Sequence, residues 1–471
     1  MRIAVLGGGP GGYSAAFEAA RLGAEVTLVE KVRLGGTCLN WGCIPTKTIL
    51  RSAHIVGDTR HAAAYGLAGA PVSVDVAALR ARKEGVVDEL VGQVEGTAKR
   101  LKVEVVYGSG TLAGPKTIEV AKADGSSATV EADAVILATG SVPFLLPNID
   151  HSLPGVWTSD EATAIHDIPA EIVIIGGGVI GLEFADAYAN FGSTVHVVEL
   201  TPTVLPGNDK RVQREAQKAL EALGVVFHLG IAVDSVAQAG ERVHATLTDG
   251  SNLEADIVLS APGRRPNGLG FGFPEAGIEM DRAAVTVDEF YRTNVPGVYA
   301  IGDLIGGMML AHVAEAEGEA AAKNALAELK GESPTASVDL SMVPAAVYTE
   351  PGIGVVGSSR DSAKERGLDV VQVVMKFAGN GKALAEGHAE GFVQIVAEMT
   401  SGRVVGAQIV GPSAAELIQE ISIPMSAGMN VAQIGHSVFG HPTLSEVIKF
   451  ACIEAANKTG CMHEPNPTPI Y

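Results

Sequence analysis

Cysteine is scarce in this chain, with four in 471 residues, and that scarcity excludes a small secreted scaffold stapled by disulfides. Positive charge is short as well: 34 Lys and Arg face 54 Asp and Glu, a formal net charge of −20. Nucleic acid and anionic membrane are therefore poor partners. Long apolar runs are missing too. The most apolar stretch, IVIIGGGVIGL, ends at Glu183, well short of the roughly 20 residues that a spanning helix needs. No membrane partner is expected. The chain passes from Met1 and Arg2 straight into an apolar strand, which leaves no room for the apolar region of a secretory leader. A cytoplasmic location is the expectation.

What the chain does have is glycine, 57 residues of it, beside few aromatics. That mix suits an α/β architecture, where glycine turns bring backbone close to ligands and small residues let helices sit on sheets. The length allows about three domains of roughly 150 residues.

Two of the four cysteines stand close together, Cys38 and Cys43 in GGTCLNWGCIPTK. A structural crosslink gains most from closing a long loop, so a bridge between these two would add little to folding. Placed after a glycine turn and ahead of a helix, the pair reads as a redox couple that closes and opens again. Cys452 and Cys461 lie far away near the C-terminus.

Residues 2 to 6 form an apolar strand that runs into Gly7, Gly9 and Gly12, then an alanine-rich helix from Tyr13 to Leu22, then a strand from Glu25 that ends at Glu30. This is a dinucleotide fingerprint. The glycines permit a tight turn and close approach of a pyrophosphate to the helix N-terminus, and the acid can bind ribose hydroxyls. The unit recurs: a strand from Glu171, then Gly176, Gly178 and Gly181, a helix through Asn190, and a strand ending at Glu199. Two dinucleotide sites follow. No arginine cluster comes after Glu199, whose carboxylate repels a 2′-phosphate, so the second site should prefer NAD to NADP. Two further strands end in turns that can support the first site, VILATGS and VYAIGDL, the latter carrying Asp303.

In order along the chain stand GGGPGG, GGTCLNWGCIPTK, ATGS, GGGVIGLE, GRRPN, AIGD followed by MLAH, and HPTLSE. With these motifs the chain resembles, end to end, the pyridine nucleotide-disulfide oxidoreductases, and among them most resembles the lipoamide-oxidising subgroup. Glutathione reductases usually carry arginines where Glu199 and Leu200 stand. Mercuric reductases typically have a tyrosine at the place of His441.

The resemblance implies an α/β fold with two Rossmann-like dinucleotide-binding domains, for FAD and NAD, and a C-terminal α+β dimerisation domain. It puts the FAD domain at 1–147 and 268–336, the NAD domain at 148–267 and the interface domain at 337–471. FAD is then held by Gly7, Gly9, Gly12, Glu30, Lys47, Gly110, Thr139, Gly140, Ser141, Asp303 and the run Met309, Leu310, Ala311 and His312. NAD is held by Gly176, Gly178, Gly181, Glu183, Glu199 and Gly263. No metal site is expected.

The resemblance also assigns chemistry. Cys38 exchanges with substrate sulfur, Cys43 faces the flavin, and His441 acts as a base held by Glu446. A free thiol has a pKa of about 8.5, so such a base is needed at neutral pH. The implied enzyme oxidises protein-bound dihydrolipoamide with NAD. It works as a homodimer and meets lipoyl domains or a lipoyl-carrier protein. Reduction of another small disulfide by NADH is the second enzymatic reading, and a non-catalytic subunit of the same fold is the third. Trp41 between the cysteines, Pro424 within an expected interface helix and the tail MHEPNPTPIY depart from the common pattern.

Overall fold

The computed structural model describes residues 1–69 and 72–461; the tail MHEPNPTPIY lies outside the described residues. The chain divides into two compact units. One comprises Met1–Ser52, Ser73–Ile168 and Leu259–Val338, and the other Ala53–Val72, Pro169–Val258 and the chain from Asp339 onward.

The first unit is built on a parallel sheet of five strands, in the order Val298–Ala300, Ala134–Leu137, Arg2–Leu6, Glu25–Glu30 and Glu104–Tyr107. Ile3, Ala4, Val5 and Leu6 are all buried. That burial on both faces explains why the strand reads as a continuous apolar run rather than an alternating one. The helix that follows spans Pro10–Arg21 and so begins three residues before the expected Tyr13. Proline at the first helical position has the φ the helix needs and lacks only an N–H that would be unpaired there anyway. This helix crosses a second one, Ala311–Leu329, through small residues. A Cβ on Gly318 would fall 2.3 Å from the carbonyl oxygen of Gly11, so only glycine allows the approach. A three-stranded antiparallel sheet, Ser109–Gly114, Thr117–Ala121 and Ser127–Glu131, completes the unit.

The second unit repeats the dinucleotide motif. Strands Val226–Leu229, Thr194–Glu199 and Glu171–Ile175 are parallel neighbours, with helix Val179–Phe191 between the last two in sequence. The same unit holds a five-stranded antiparallel sheet ordered Pro344–Val347, Gly352–Gly357, Val404–Gly411, Phe392–Glu398 and Val370–Lys376. Ile395, Ile409, Ile448 and Cys452 share its core. Burial pushes the Cys452 thiol up to about 12, which leaves it an inert packing residue. Cys461 is buried in the same core, its Sγ 3.0 Å from Thr459 Oγ1. Pro424 sits inside the short helix Gln419–Ser426, as its position in the sequence implied.

Candidate active site

Gly35 and Gly36 both take positive φ, +103° and +53°, and turn the chain into the short helix Gly36–Asn40 that carries Cys38. A Cβ on Gly36 would lie 2.6 Å from the Gly9 Cα, so the cysteine loop packs directly against the first glycine turn. Trp41, half-buried, closes the short helix through its N–H to the Thr37 carbonyl. The next helix, Cys43–Arg60, starts on the second cysteine. A helix N-terminus favours negative charge, which suits a thiolate at Cys43.

Both cysteines are free thiols, and Cys38 hydrogen-bonds to Cys43. That bond, then burial, then the charges of Cys43 and Glu315 drive the Cys38 pKa far above the ordinary thiol range, with Lys47 pulling the other way. Glu315 is itself held by Tyr13, whose hydroxyl donates to Oε1 at 2.7 Å.

The two glycine turns have the same geometry. Gly7 and Gly176 have φ of +109° and +112°. A Cβ on Gly12 would meet the Gly7 oxygen at 1.8 Å, and one on Gly181 the Gly176 oxygen at 1.9 Å. Gly9 and Gly178 are the N-caps of their helices and supply no side-chain cap. Around them is room: a Cβ at Gly178 meets nothing within 4 Å, and one at Gly9 only Gly36 at 3.7 Å. Uncapped helix N–H groups beside open space fit a dinucleotide pyrophosphate at each site. The two acids brace these turns. Glu30 accepts from Gly8 N and Val32 N, each at 2.8 Å. Glu199 accepts from Gly177 N at 2.6 Å and Thr201 N at 2.8 Å.

The remaining residues assigned to the first site belong to the first unit. Ser141 Oγ donates to Asp303 at 2.5 Å, Thr139 Oγ1 donates to the Asn267 carbonyl at 2.8 Å, and Gly140 has φ +72°. Met309 holds a left-handed φ of +47°, and Leu310 is the N-cap from which Ala311 and His312 open a helix. Gly110 is buried against Leu6 and Val29. Of the second-site residues, Glu183 is buried and accepts from Tyr348 N at 3.0 Å. Gly263, at φ +134°, lies in the first unit, next to Arg264.

His441 and Glu446 lie in the second unit. The imidazole Nδ1 is 3.0 and 3.2 Å from the two Glu446 oxygens, and Thr443 N donates to the same carboxylate at 3.0 Å. The histidine bond, followed by the Thr443 one, holds the Glu446 carboxyl below its ordinary range. The ring itself is 79% exposed.

Sequence reasoning did not single out Arg264, which joins Ser141 to the cysteine loop. Its Nε donates to Ser141 Oγ at 2.8 Å, and its Nη2 to the Ser141 carbonyl at 2.9 Å and to Thr37 Oγ1 at 3.3 Å. One guanidinium thus joins the residue before Cys38 to the hydroxyl that bonds Asp303. Glu315 and Tyr13 were missed as well. The GRRPN motif was the available signal for Arg264; nothing local marks the other two.

The family model for pyridine nucleotide-disulphide oxidoreductases matches residues 1–318, and the model for the dimerisation domain of that family matches 343–452. The chain belongs to the pyridine nucleotide-disulphide oxidoreductases. Among relatives of this family, it is 40% identical to the dihydrolipoyl dehydrogenase of Halobacterium salinarum over 96% of this chain and 95% of that one. It is likewise 40% identical to the dihydrolipoyl dehydrogenase of Bacillus subtilis, over 94% of each. The crystal structure of LpdA from Mycobacterium tuberculosis has a similar fold, with a TM-score of 0.89 and 30% identity over 96% of this chain and 99% of that one. Among the described residues, no helix is long and apolar enough to cross a membrane.

Proposed function

We propose that this protein is a flavin-dependent oxidoreductase that oxidises protein-bound dihydrolipoamide to lipoamide with NAD, through the Cys38–Cys43 pair. The observation that carries the reading is the Cys38–Cys43 pair, two free thiols in hydrogen-bond contact; such a sulfur needs a general base to become a nucleophile and a general acid as it leaves. His441, pinned through Nδ1 by Glu446, has the lone pair for that task at Nε2.

The steps balance without any other reagent. His441 of a second copy of the chain takes the proton from one substrate thiol, and the sulfur attacks Sγ of Cys38 in the oxidised pair. The Cys38–Cys43 bond breaks, Cys43 leaves as a thiolate, and a substrate–Cys38 disulfide forms. The second substrate sulfur displaces Cys38, and its proton passes to the leaving Cys38 sulfur. The substrate disulfide closes, and the first proton stays on the His441 imidazolium, from which it is released to solvent. FAD and NAD, when bound, carry the two electrons onward from the thiol pair. Gly7, Gly9, Gly12, Glu30 and the Ser141–Asp303–Arg264 group would hold the first, and Gly176, Gly178, Gly181 and Glu199 the second. Lys47 would take part in holding FAD and Glu183 in holding NAD.

The domains carrying these roles are 1–147 with 268–336 for FAD, 148–267 for NAD and 337–471 for dimerisation. Val438, Phe450 and Ile423 are exposed on the unit that carries His441, and exposed apolar side chains of this kind are suited to burial against a second copy of the chain. The homodimer works in the cytoplasm and takes its substrate from a lipoyl domain or lipoyl-carrier protein. Steady-state turnover with dihydrolipoamide and NAD, set against NADH with a panel of small disulfides, tests the reading. Faster turnover of another disulfide than of the lipoamide couple overturns it.

A further inference from the structure

A second set of titratable side chains lies wholly within the second unit and has no part in the chemistry above. His54 and Asp58 stand four residues apart on helix Cys43–Arg60, the spacing that brings two side chains to one face. Glu350 reaches both of the histidines in the group: its Oε2 is 3.9 Å from His54 Nδ1 and its Oε1 is 3.7 Å from His388 Nδ1. Asp58, Glu350 and His388 each offer a ligand atom within 4.8 Å of the others. Behind them is Asp186, fully buried, which accepts from Glu350 N and from Asn190 Nδ2, each at 2.6 Å. Asp186 also sits 3.3 Å from His54 Nε2, though without the alignment of a full hydrogen bond.

We propose that His54, Asp58, Glu350 and His388 form a binding site for a divalent first-row transition-metal ion, with Zn²⁺ the best match. Two imidazole nitrogens and two carboxylates are a four-ligand set of the kind Zn²⁺ takes, whereas Mg²⁺ prefers oxygen alone. With Nδ1 toward the ion, His54 presents Nε2 to Asp186, the carboxylate–histidine–metal arrangement that fixes ring orientation in such sites. Bonds of about 2.0–2.1 Å place tetrahedral ligand atoms roughly 3.4 Å apart, so side-chain shifts on the order of 1 Å close the set around an ion.

Three carboxylates, Asp58, Glu350 and Asp186, stand around the two imidazoles, a donor set suited to a cation. A cavity of about 380 Å³ lined in part by His54, Glu350 and His388 gives an ion and its water a way in.

Two other places on the chain can take Zn²⁺ and must be separated from this one: the Cys38–Cys43 thiols, and the pair His196–His228, whose ring nitrogens are 3.1 Å apart. The test uses the full-length flavoprotein with its thiols oxidised to the disulfide and stripped with EDTA. Calorimetric titration with Zn²⁺, and with Mg²⁺ for comparison, is followed by metal analysis after gel filtration. One Zn²⁺ per chain is expected, with no binding of Mg²⁺. Asp58→Asn and His388→Gln remove ligands near the surface and should each weaken the affinity at least about 10-fold; Asp186→Asn, acting through His54, should cost about 10- to 100-fold. His196→Gln should change nothing. An unaltered flavin spectrum in each variant shows that the fold is kept. Absence of stoichiometric Zn²⁺ overturns the proposal, as does affinity that survives Asp58→Asn and His388→Gln or falls with His196→Gln.

Discussion

Glu446 grips His441 at one nitrogen only, Nδ1, and stands itself on the first turn of helix Glu446–Thr459. The bond to His441, the N–H of Thr443 and the helix N-terminus all favour the ionised carboxylate. An ionised carboxylate can only accept, so Nδ1 carries the ring proton and Nε2 keeps its lone pair. A tautomer is thereby chosen by a residue that never meets the substrate.

Replacing His441 by glutamine should lower dihydrolipoamide turnover at least about 100-fold, as for a removed acid–base group. Glu446→Gln leaves the ring in place but offers Nδ1 a donor as readily as an acceptor. The wrong tautomer then becomes available, and a loss on the order of 100-fold is expected by analogy with triads that lose their carboxylate. Steady-state kinetics on both variants decide the matter. Turnover of Glu446→Gln within twofold of wild type would remove Glu446 from the mechanism.

The twin glycine turns allow the two dinucleotide sites to be broken one at a time. An alanine at Gly12 or Gly181 puts its Cβ 1.8 or 1.9 Å from a backbone oxygen of the same turn, and the turn must open. Overpacking of that kind costs about 1–3 kcal/mol. Gly12→Ala should purify with little yellow flavin. Gly181→Ala should keep its flavin and still be reduced by dihydrolipoamide, yet lose NAD-dependent turnover about 10-fold or more. Absorption spectra and single-turnover reduction separate the two outcomes, and equal flavin content in both variants would falsify the assignment of the sites.

What the sequence made legible was local. The parallel strands declare themselves because both faces are buried, and Glu446 can be paired with His441 because five residues and a helix start separate them. The glycine turns carry their own steric logic. Arg264 could not be read in this way, since its bond to Thr37 joins residues 227 apart, and the Tyr13–Glu315 bond joins residues 302 apart. Nor could Asp186, which sits on an apolar helix and finds the Glu350 backbone 164 residues on. Contacts of this range are set by how the elements dock, and no spacing in the chain records them.

Coenzyme choice rests on Glu199. Its two oxygens are held by Gly177 N and by Thr201, so the carboxylate cannot swing aside for a 2′-phosphate. Juxtaposed like charges cost several kcal/mol, and kcat/KM with NADP should fall below that with NAD by more than about 100-fold. Glu199→Gln keeps an oxygen for the Gly177 N–H while removing the charge. The variant should narrow the gap by at least about 10-fold. Comparable wild-type rates with the two coenzymes would remove this role for Glu199.

The half-buried His54 predicts a pH signature separate from catalysis. Burial works against its charge, but the close contact with Asp186 and the charges of Asp186, Glu350 and Asp58 prevail and hold the imidazolium above its ordinary range. A raised histidine pKa stabilises the fold through its charged form. The contribution is complete below the unfolded value of about 6.5 and is lost as pH rises through the folded value. In EDTA, the melting temperature of wild type should therefore exceed that of His54→Gln by more at pH 6 than at pH 8.5. Calorimetric melting of the two proteins across that range gives the comparison. A difference that stays constant with pH, or widens toward alkali, would show that His54 is held there by packing and not by the charge of its acidic neighbours.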